Sequence, residues 1–371
     1  MSQIRLSRTH VILIDGTFAS LAEGRRSSIG RIHALLRDRS ASQSASQSAG
    51  HDGGPLRIHY AAGQQWDRWR TLPELAMGHS LSRRIIDAYG WLASGYRPGD
   101  RIFLLGYSRG AFAVRSLAGM ISRVGLLRPE TATERNIRLA WRYYSEGASD
   151  QALGAFRRRR GQGQVSIAMI GCFDTVMALG IRLPLLWLLT EPRFRFHDTH
   201  LGPEIGLGCQ ALALDETRAA FAPILWDDSS AAGRIEQMWF RGAHADIGGQ
   251  LSGLEYARPL ANIPLVWMLG QAEDAGLPLP QGWRGHFPCD ASAPSVGSWR
   301  NWGKAFLARA PRLAGLYRSE ALHPTIPRPY PGPALLTGHL ADQAVDRPVR
   351  RGFRRSGDKG PQMDDAAGAG G

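Results

Sequence analysis

A serine between two glycines, an aspartate and a histidine are the residues of this chain whose types and settings could do covalent chemistry. The serine lies in Gly106-Tyr107-Ser108-Arg109-Gly110, which closes the apolar run Ile102 to Leu105. After it, Ala111, Val114, Leu117, Ala118 and Ile121 recur at helical spacing. Strand, tight turn, helix is the setting in which G-x-S-x-G presents its serine as a nucleophile. A lone serine hydroxyl attacks poorly; it needs an imidazole to take its proton and an acid to orient that imidazole. Asp174, in Gly171-Cys172-Phe173-Asp174-Thr175, and His244, in Gly242-Ala243-His244-Ala245-Asp246, fill those roles in the chain order acid then base.

The turn around Ser108 demands small neighbours, and Gly106 and Gly110 supply them. An oxyanion formed by attack would be met by the backbone N–H of Arg109, the residue after the nucleophile. The second donor is expected from Gly16 or Thr17, in the Asp15-Gly16-Thr17 turn, with Asp15 as a buttress of that turn. Asp246 either orients a backbone turn or assists the histidine. His323, fixed by the proline after it in Ala321-Leu322-His323-Pro324, is the rival base. Each residue also has a plainer reading: Asp174 as a helix cap, His244 as a structural hydrogen-bonding group.

The elements needed to position these groups are legible as apolar runs. His10 to Ile14, Leu56 to Tyr60, Ile102 to Leu105, Val165 to Ile170 and Arg234 to Phe240 read as strands. Helices are expected near 29–36, 80–96, after Ser108, and near 131–144. Strands interleaved with helices imply an α/β fold with a mainly parallel sheet. Asp15, Ser108, Asp174 and His244 each follow the end of a predicted strand, the edge where open α/β sheets bind ligands.

The 371 residues, 43% hydrophobic, can bury a substantial core. The formal charge of +13 is carried almost wholly by arginine, the lysines being Lys304 and Lys359. Its clusters, Arg157 to Arg160 and Arg347 to Arg355, come with no nucleic-acid-binding motif, so nucleic acid is not an expected partner. Cys172, Cys209 and Cys289 are too few and too scattered for a disulfide framework or a zinc site. No metal or organic cofactor is called for. There is no signal-peptide pattern at the start and no apolar run near the roughly 18 to 20 residues that span a bilayer. A cytoplasmic protein, or one secreted by a signal-independent route, is expected.

The sequence resembles the α/β-hydrolase family that contains the catalytic domains of type VI secretion phospholipase effectors. The resemblance rests on Asp15-Gly16-Thr17, on "AYGWLASGYRPGDRIFLLGYSRGAFAVRSLAGMISRVGLL" around Ser108, on "GCFDTV" from Gly171, on "ALALDETRAAFAPILW" from Ala211, on "MWFRGAHADIGG" from Met238 and on "LHPTI" from Leu322. It implies helices on both faces of the sheet and an inserted cap. It also implies Ser108 as nucleophile, Asp174 as acid and His244 as base.

The resulting expectation is one catalytic domain over residues 1–344, with a flexible loop at 40–54, a cap at about 178–232, and a disordered basic tail at 345–371. Within the cap, the stretch Ala178 to Phe196 carries Leu183, Trp187 and their apolar neighbours, edged by Arg193 and Arg195. Such a stretch either dips into a lipid headgroup layer, as a peripheral membrane contact, or forms an ordinary buried helix. The expected reaction is hydrolysis of lipid or phospholipid acyl esters through an acyl-enzyme. The rivals are a soluble-ester or thioester hydrolase and a degenerate hydrolase fold that only binds. Protein partners are not legible.

Overall fold

The computed structural model describes residues 6–45, 54–65, 79–176, 200–229, 231, 233–300 and 307–344. Seven parallel strands form its central sheet: β1 (Thr9–Ile14), β2 (Leu56–Ala61), β3 (Arg101–Tyr107), β4 (Ile167–Phe173), β5 (Ile205–Ala213), β6 (Ile235–Phe240) and, beyond a short β7 (Leu313–Ala314), β8 (Glu320–Leu322). Their order across the sheet is β2-β1-β3-β4-β5-β6-β8, and β7 pairs separately with β9 (Leu335–Leu336).

Alternation along the strands divides the core between the two faces of the sheet. Ile12, Ile14, Ile102 and Leu104 pack on one side, against α2 (His79–Gly95) and α3 (Arg109–Val124). Val11, Leu13, Phe103 and Leu105 pack on the other, against α1 (Ser28–Ala45) and a helix that follows β6, Arg258–Asp274. Parallel sheets survive in water only when both faces are covered, and these helices cover them. The predicted inward residues of α2 and α3, including Leu81, Ile85, Leu92, Val114 and Leu117, are all buried. Between α3 and β4 lie α4 (Glu134–Ser145) and α5 (Asp150–Arg160), each opened by a capping hydroxyl, Thr133 and Ser149. Arg157 to Arg160 occupy the last turn of α5, where cations complement the helix dipole, and Arg157 also donates to the Ser122 carbonyl.

Two expectations about segment boundaries are corrected. The cap assigned to 178–232 contains β5, which lies in the middle of the sheet between β4 and β6. Its sequence, IGLGCQALA, has two glycines and a glutamine, so it lacks an apolar run. Gly206 and Gly208 are small because Ala168 backbone and Leu201 crowd them. The loop assigned to 40–54 begins inside α1, which continues to Ala45 because the Ser-Ala-Gln stretch keeps adequate helix propensity. The Ala178 to Phe196 stretch and the tail 345–371 lie outside the described residues.

The register sets the site. Tyr107 is level with Phe173, and Phe173 with Ala211, so the loops after β3, β4 and β5 leave the sheet side by side. The chain moves from β1 outward to β2 and then returns to the other side of β1 for β3. That reversal is the point in an open α/β sheet at whose carboxyl edge ligands bind, and the loops after β1 and β3 leave the sheet there.

Candidate active site

Ser108 is the single residue between β3 and α3, and its backbone is held at φ 58, ψ −120. That is a costly conformation for a side-chain-bearing residue, on the order of 1–3 kcal/mol. The surroundings enforce it: Ser108 N–H donates to the Phe173 carbonyl at 2.9 Å, and its own carbonyl accepts from Phe112 N–H at 3.2 Å. A Cβ at Gly106 would stand 2.4 Å from the Gly110 carbonyl oxygen, and one at Gly110 2.1 Å from that of Ile14. Both positions therefore require glycine for the turn to close.

His244 begins the short helix α6 (His244–Gly248), ahead of α7 (Arg258–Asp274). Its Nε2 lies 2.9 Å from Ser108 Oγ and its Nδ1 2.5 Å from Asp174 Oδ2. All three side chains are buried. The ring is walled by Tyr107 and Phe221, each with its centroid 4.9 Å away. The His244 backbone N–H donates to Glu216 Oε2, and Arg218 grips that carboxylate in turn.

Asp174 also has a positive φ, 44°, and its carboxylate is fully enclosed. Arg312 clamps it with two hydrogen bonds, Nη1 to Oδ1 at 2.6 Å and Nη2 to Oδ2 at 2.9 Å; the Ala213 N–H adds a third at 3.0 Å. Burial opposes ionisation here, but the Arg312 charge and the bonds from His244 and Arg312 outweigh it. They hold Asp174 well below the usual carboxylate range. A permanently ionised acid behind Nδ1 favours the tautomer that leaves Nε2 free to accept the Ser108 proton.

The turn after β1 comes up against the serine: a Cβ built on Gly16 would be 3.3 Å from Ser108 Cβ. The Arg109 N–H opens α3, where first-turn donors have no intrahelical acceptor. Gly16 N–H is taken by Asp15 Oδ1 at 2.8 Å, whereas Thr17 N–H has no acceptor among the described residues. The Arg109 guanidinium fixes the same turn, its Nε donating to Thr17 Oγ1 at 2.6 Å, and Gln250 holds the Thr17 carbonyl. Burial pushes Arg109 down to about 10, so it stays charged at neutral pH. Asp15 receives the Ser27 hydroxyl at 2.6 Å and the Tyr60 hydroxyl at 2.9 Å. Asp246 accepts from Ala243 N–H, Ser295 Oγ and Val296 N–H, which makes it the organiser of the His244 turn.

His323 stands apart. Its ring stacks on Phe240 at 4.6 Å and its Nδ1 lies 2.8 Å from Thr325 Oγ1. The structure brings Ser108, Asp174 and His244 together and leaves His323 beyond β6. Among the described residues no three His, Cys, Asp or Glu side chains gather as a metal site would need.

Residues 8–271 match the family described as the T6SS phospholipase effector Tle1-like catalytic domain. The chain belongs to that family. It is also 34% identical over 133 residues to the uncharacterized protein YEL023C of Saccharomyces cerevisiae (strain ATCC 204508 / S288c), a stretch covering 33% of this chain and 19% of the yeast protein. Two solved structures are similar. One is the Tle1 effector bound to the VgrG spike from the Type 6 secretion system, with 16% identity, TM-score 0.39, 66% of this chain and 51% of that one. The other is an uncharacterized protein from Pseudomonas aeruginosa, with 18% identity, TM-score 0.43, 77% of this chain and 49% of that one. The chain thus spans about half the length of these two structures and about a fifth of the yeast relative.

The Tle1-like match contains Ser108, Asp174 and His244 but stops short of Arg312. Arg312 escaped the sequence reading because nothing in its type or spacing sets it apart among 45 basic residues. Glu216, Phe221 and Tyr107 escaped for a related reason: each does its work through a neighbour rather than through a recognisable motif. The sole local hint for Glu216 was its place in the Ala211 to Trp226 segment.

Proposed function

We propose that this chain is a serine hydrolase that cleaves the acyl esters of lipids, with Ser108, His244 and Asp174 as its catalytic residues. The observation that carries the reading is the continuous hydrogen-bonded chain from Ser108 Oγ through His244 to Asp174, on a serine held at positive φ. The lipid substrate class follows from the family's description as phospholipase effectors.

The mechanism uses groups already in contact. His244 Nε2 takes the proton as Ser108 Oγ attacks the ester carbonyl. The resulting oxyanion is met by the backbone N–H groups of Arg109 and Thr17, while Gly16 N–H stays committed to Asp15. The imidazolium then protonates the departing alkoxide, leaving the acyl group on Ser108. Water, deprotonated by His244, attacks the acyl-enzyme and releases the fatty acid. Asp174 balances the imidazolium charge throughout, and Arg312 keeps Asp174 ionised and oriented. The type VI secretion system in the family's description makes export by that system part of the same reading.

Vesicles and p-nitrophenyl esters of short and long chain, offered to wild type and Ser108→Ala in parallel, test it. Fatty acid released from vesicles by wild type and abolished by the substitution is the expected outcome. Turnover confined to soluble short-chain esters would remove the lipid assignment. No turnover on any of them, with Ser108 also inert to active-site labels, would remove the hydrolase.

A further inference from the structure

Beside the loop that follows β5, the chain carries large apolar side chains that the fold does not bury. Trp299 is 59% exposed, Leu307 84% and Tyr256 45%. A folded domain gains nothing by holding a tryptophan and a leucine in water, so a cluster of this kind marks a surface that meets something apolar. Backbone and side-chain contacts tie these residues to the loop that flanks His244. Ala219 N–H donates to the Ala308 carbonyl and Ala310 N–H to that of Thr217, so the segment that begins at Leu307 is tied to the loop after β5. That loop carries Phe221, one wall of the His244 ring. Arg309 donates to Thr217 Oγ1 at 3.2 Å and lays its guanidinium over Trp299 at 3.7 Å. Arg300 sits 5.8 Å from the Tyr256 ring centroid.

Arginine beside exposed indole and phenol rings has a specific chemical sense. The rings suit the boundary between headgroups and acyl chains, and the guanidinium groups suit phosphates at the same depth. We infer that Trp299, Leu307 and Tyr256, with Arg300 and Arg309, form a docking surface that seats the active-site mouth on an anionic lipid bilayer. The chain's charge of +13 complements such a membrane. The neighbouring Glu255 is neutralised by Arg258, whose Nε lies 2.8 Å from it. The inference rests on the catalytic reading only in placing lipid at that mouth, and it can be read without turnover.

The test uses full-length Ser108→Ala protein and sucrose-loaded vesicles of phosphatidylcholine, with or without a minority of phosphatidylglycerol. Sedimentation with the anionic vesicles is expected, weakening as salt is raised. Trp299→Ala combined with Leu307→Ser should cut partitioning by roughly tenfold or more. Arg300→Glu alone should weaken binding to the anionic vesicles and leave the weak binding to neutral ones unchanged. Melting temperatures near that of the parent show that the variants are folded. Absence of binding by the Ser108→Ala protein, or full binding by the double variant, overturns the surface. Equal binding to neutral and anionic vesicles overturns its preference for anionic lipid. Ester hydrolysis without vesicle binding would break this inference alone; vesicle binding without hydrolysis would break the catalytic reading alone.

Discussion

Asp15 and Asp174 stand at the same edge of the same sheet, each directly after a strand and each fully buried. Their partners differ. Asp174 faces a guanidinium that bonds both its oxygens, and is held below the usual carboxylate range although burial opposes this. Asp15 receives two hydroxyls and a backbone N–H, makes no ion pair among the described residues, and is pushed up to about 6 by burial although the Arg84 charge opposes this. The difference teaches what a buried carboxylate needs in order to serve as a fixed charge. Neutral donors satisfy its lone pairs; an ion partner is required to keep it ionised through proton transfer.

Exchanging the carboxylates for amides should separate the two most widely. Asp174→Asn is expected to lower kcat by about 10⁴-fold, since the amide favours the wrong imidazole tautomer. Asp15→Asn should leave most of the turnover in place, because Asn still accepts from Gly16 N–H and can donate to the Tyr60 oxygen. Ester hydrolysis by the two variants checks this, and similar losses in both would erase the distinction.

Next in size is Arg312→Met. Removing the cation strands a buried anion, and about 3–5 kcal/mol of stability should go with it. Denaturant unfolding measures that loss. The double variant Arg312→Met, Asp174→Asn should recover much of the stability and none of the activity. A double variant no more stable than Arg312→Met would show that Arg312 acts through packing alone.

The pH dependence of stability should run in opposite directions. Asp174 has a folded pKa below its ordinary value of 3.8, so its contribution is complete above that value and is lost as pH falls below it. Asp15 has a folded pKa raised from 3.8 to about 6, so it costs stability as pH rises through that window. At about 1.4 kcal/mol per unit, the Asp15 penalty at neutral pH is on the order of 3 kcal/mol. Asp15→Asn should therefore be more stable than wild type at pH 8 and lose that advantage near pH 4, in chemical denaturation at each pH. An advantage that grew toward acid would reverse the assignment.

The smallest effect is expected at His323. His323→Ala removes a ring stacked on Phe240 and should cost about 1 kcal/mol with turnover within about twofold of wild type. Loss of turnover comparable to that of His244→Ala would move the base to His323.

The contrast between the carboxylates also marks where the sequence stops being readable. Ser108, Asp174 and His244 were legible because each ends an apolar run and sits among glycines whose smallness the turn requires. β1 and β3, buried on both faces, were legible as unbroken apolar runs, and the inward faces of α2 and α3 by their helical period. β5 was not, since a strand crowded by its neighbours takes glycine where a strand signal would place valine or isoleucine. Nor was Arg312. Its partner lies 138 residues away, and no local pattern records a contact made only by folding. The sequence left Gly16 and Thr17 open as the second donor in the turn after β1. What separates the two is a contact made by folding, the bond from Gly16 N–H to the Asp15 carboxylate.

The central claim is that Ser108 is a nucleophile made reactive by His244 and Asp174. Intact-mass spectrometry after brief exposure to a fluorophosphonate tests it directly, in wild type, Ser108→Ala, His244→Ala and Asp174→Asn. The account predicts one adduct, mapped to Ser108, absent from Ser108→Ala and formed far more slowly in the other two. No adduct in wild type, or equal labelling in Ser108→Ala, would contradict it.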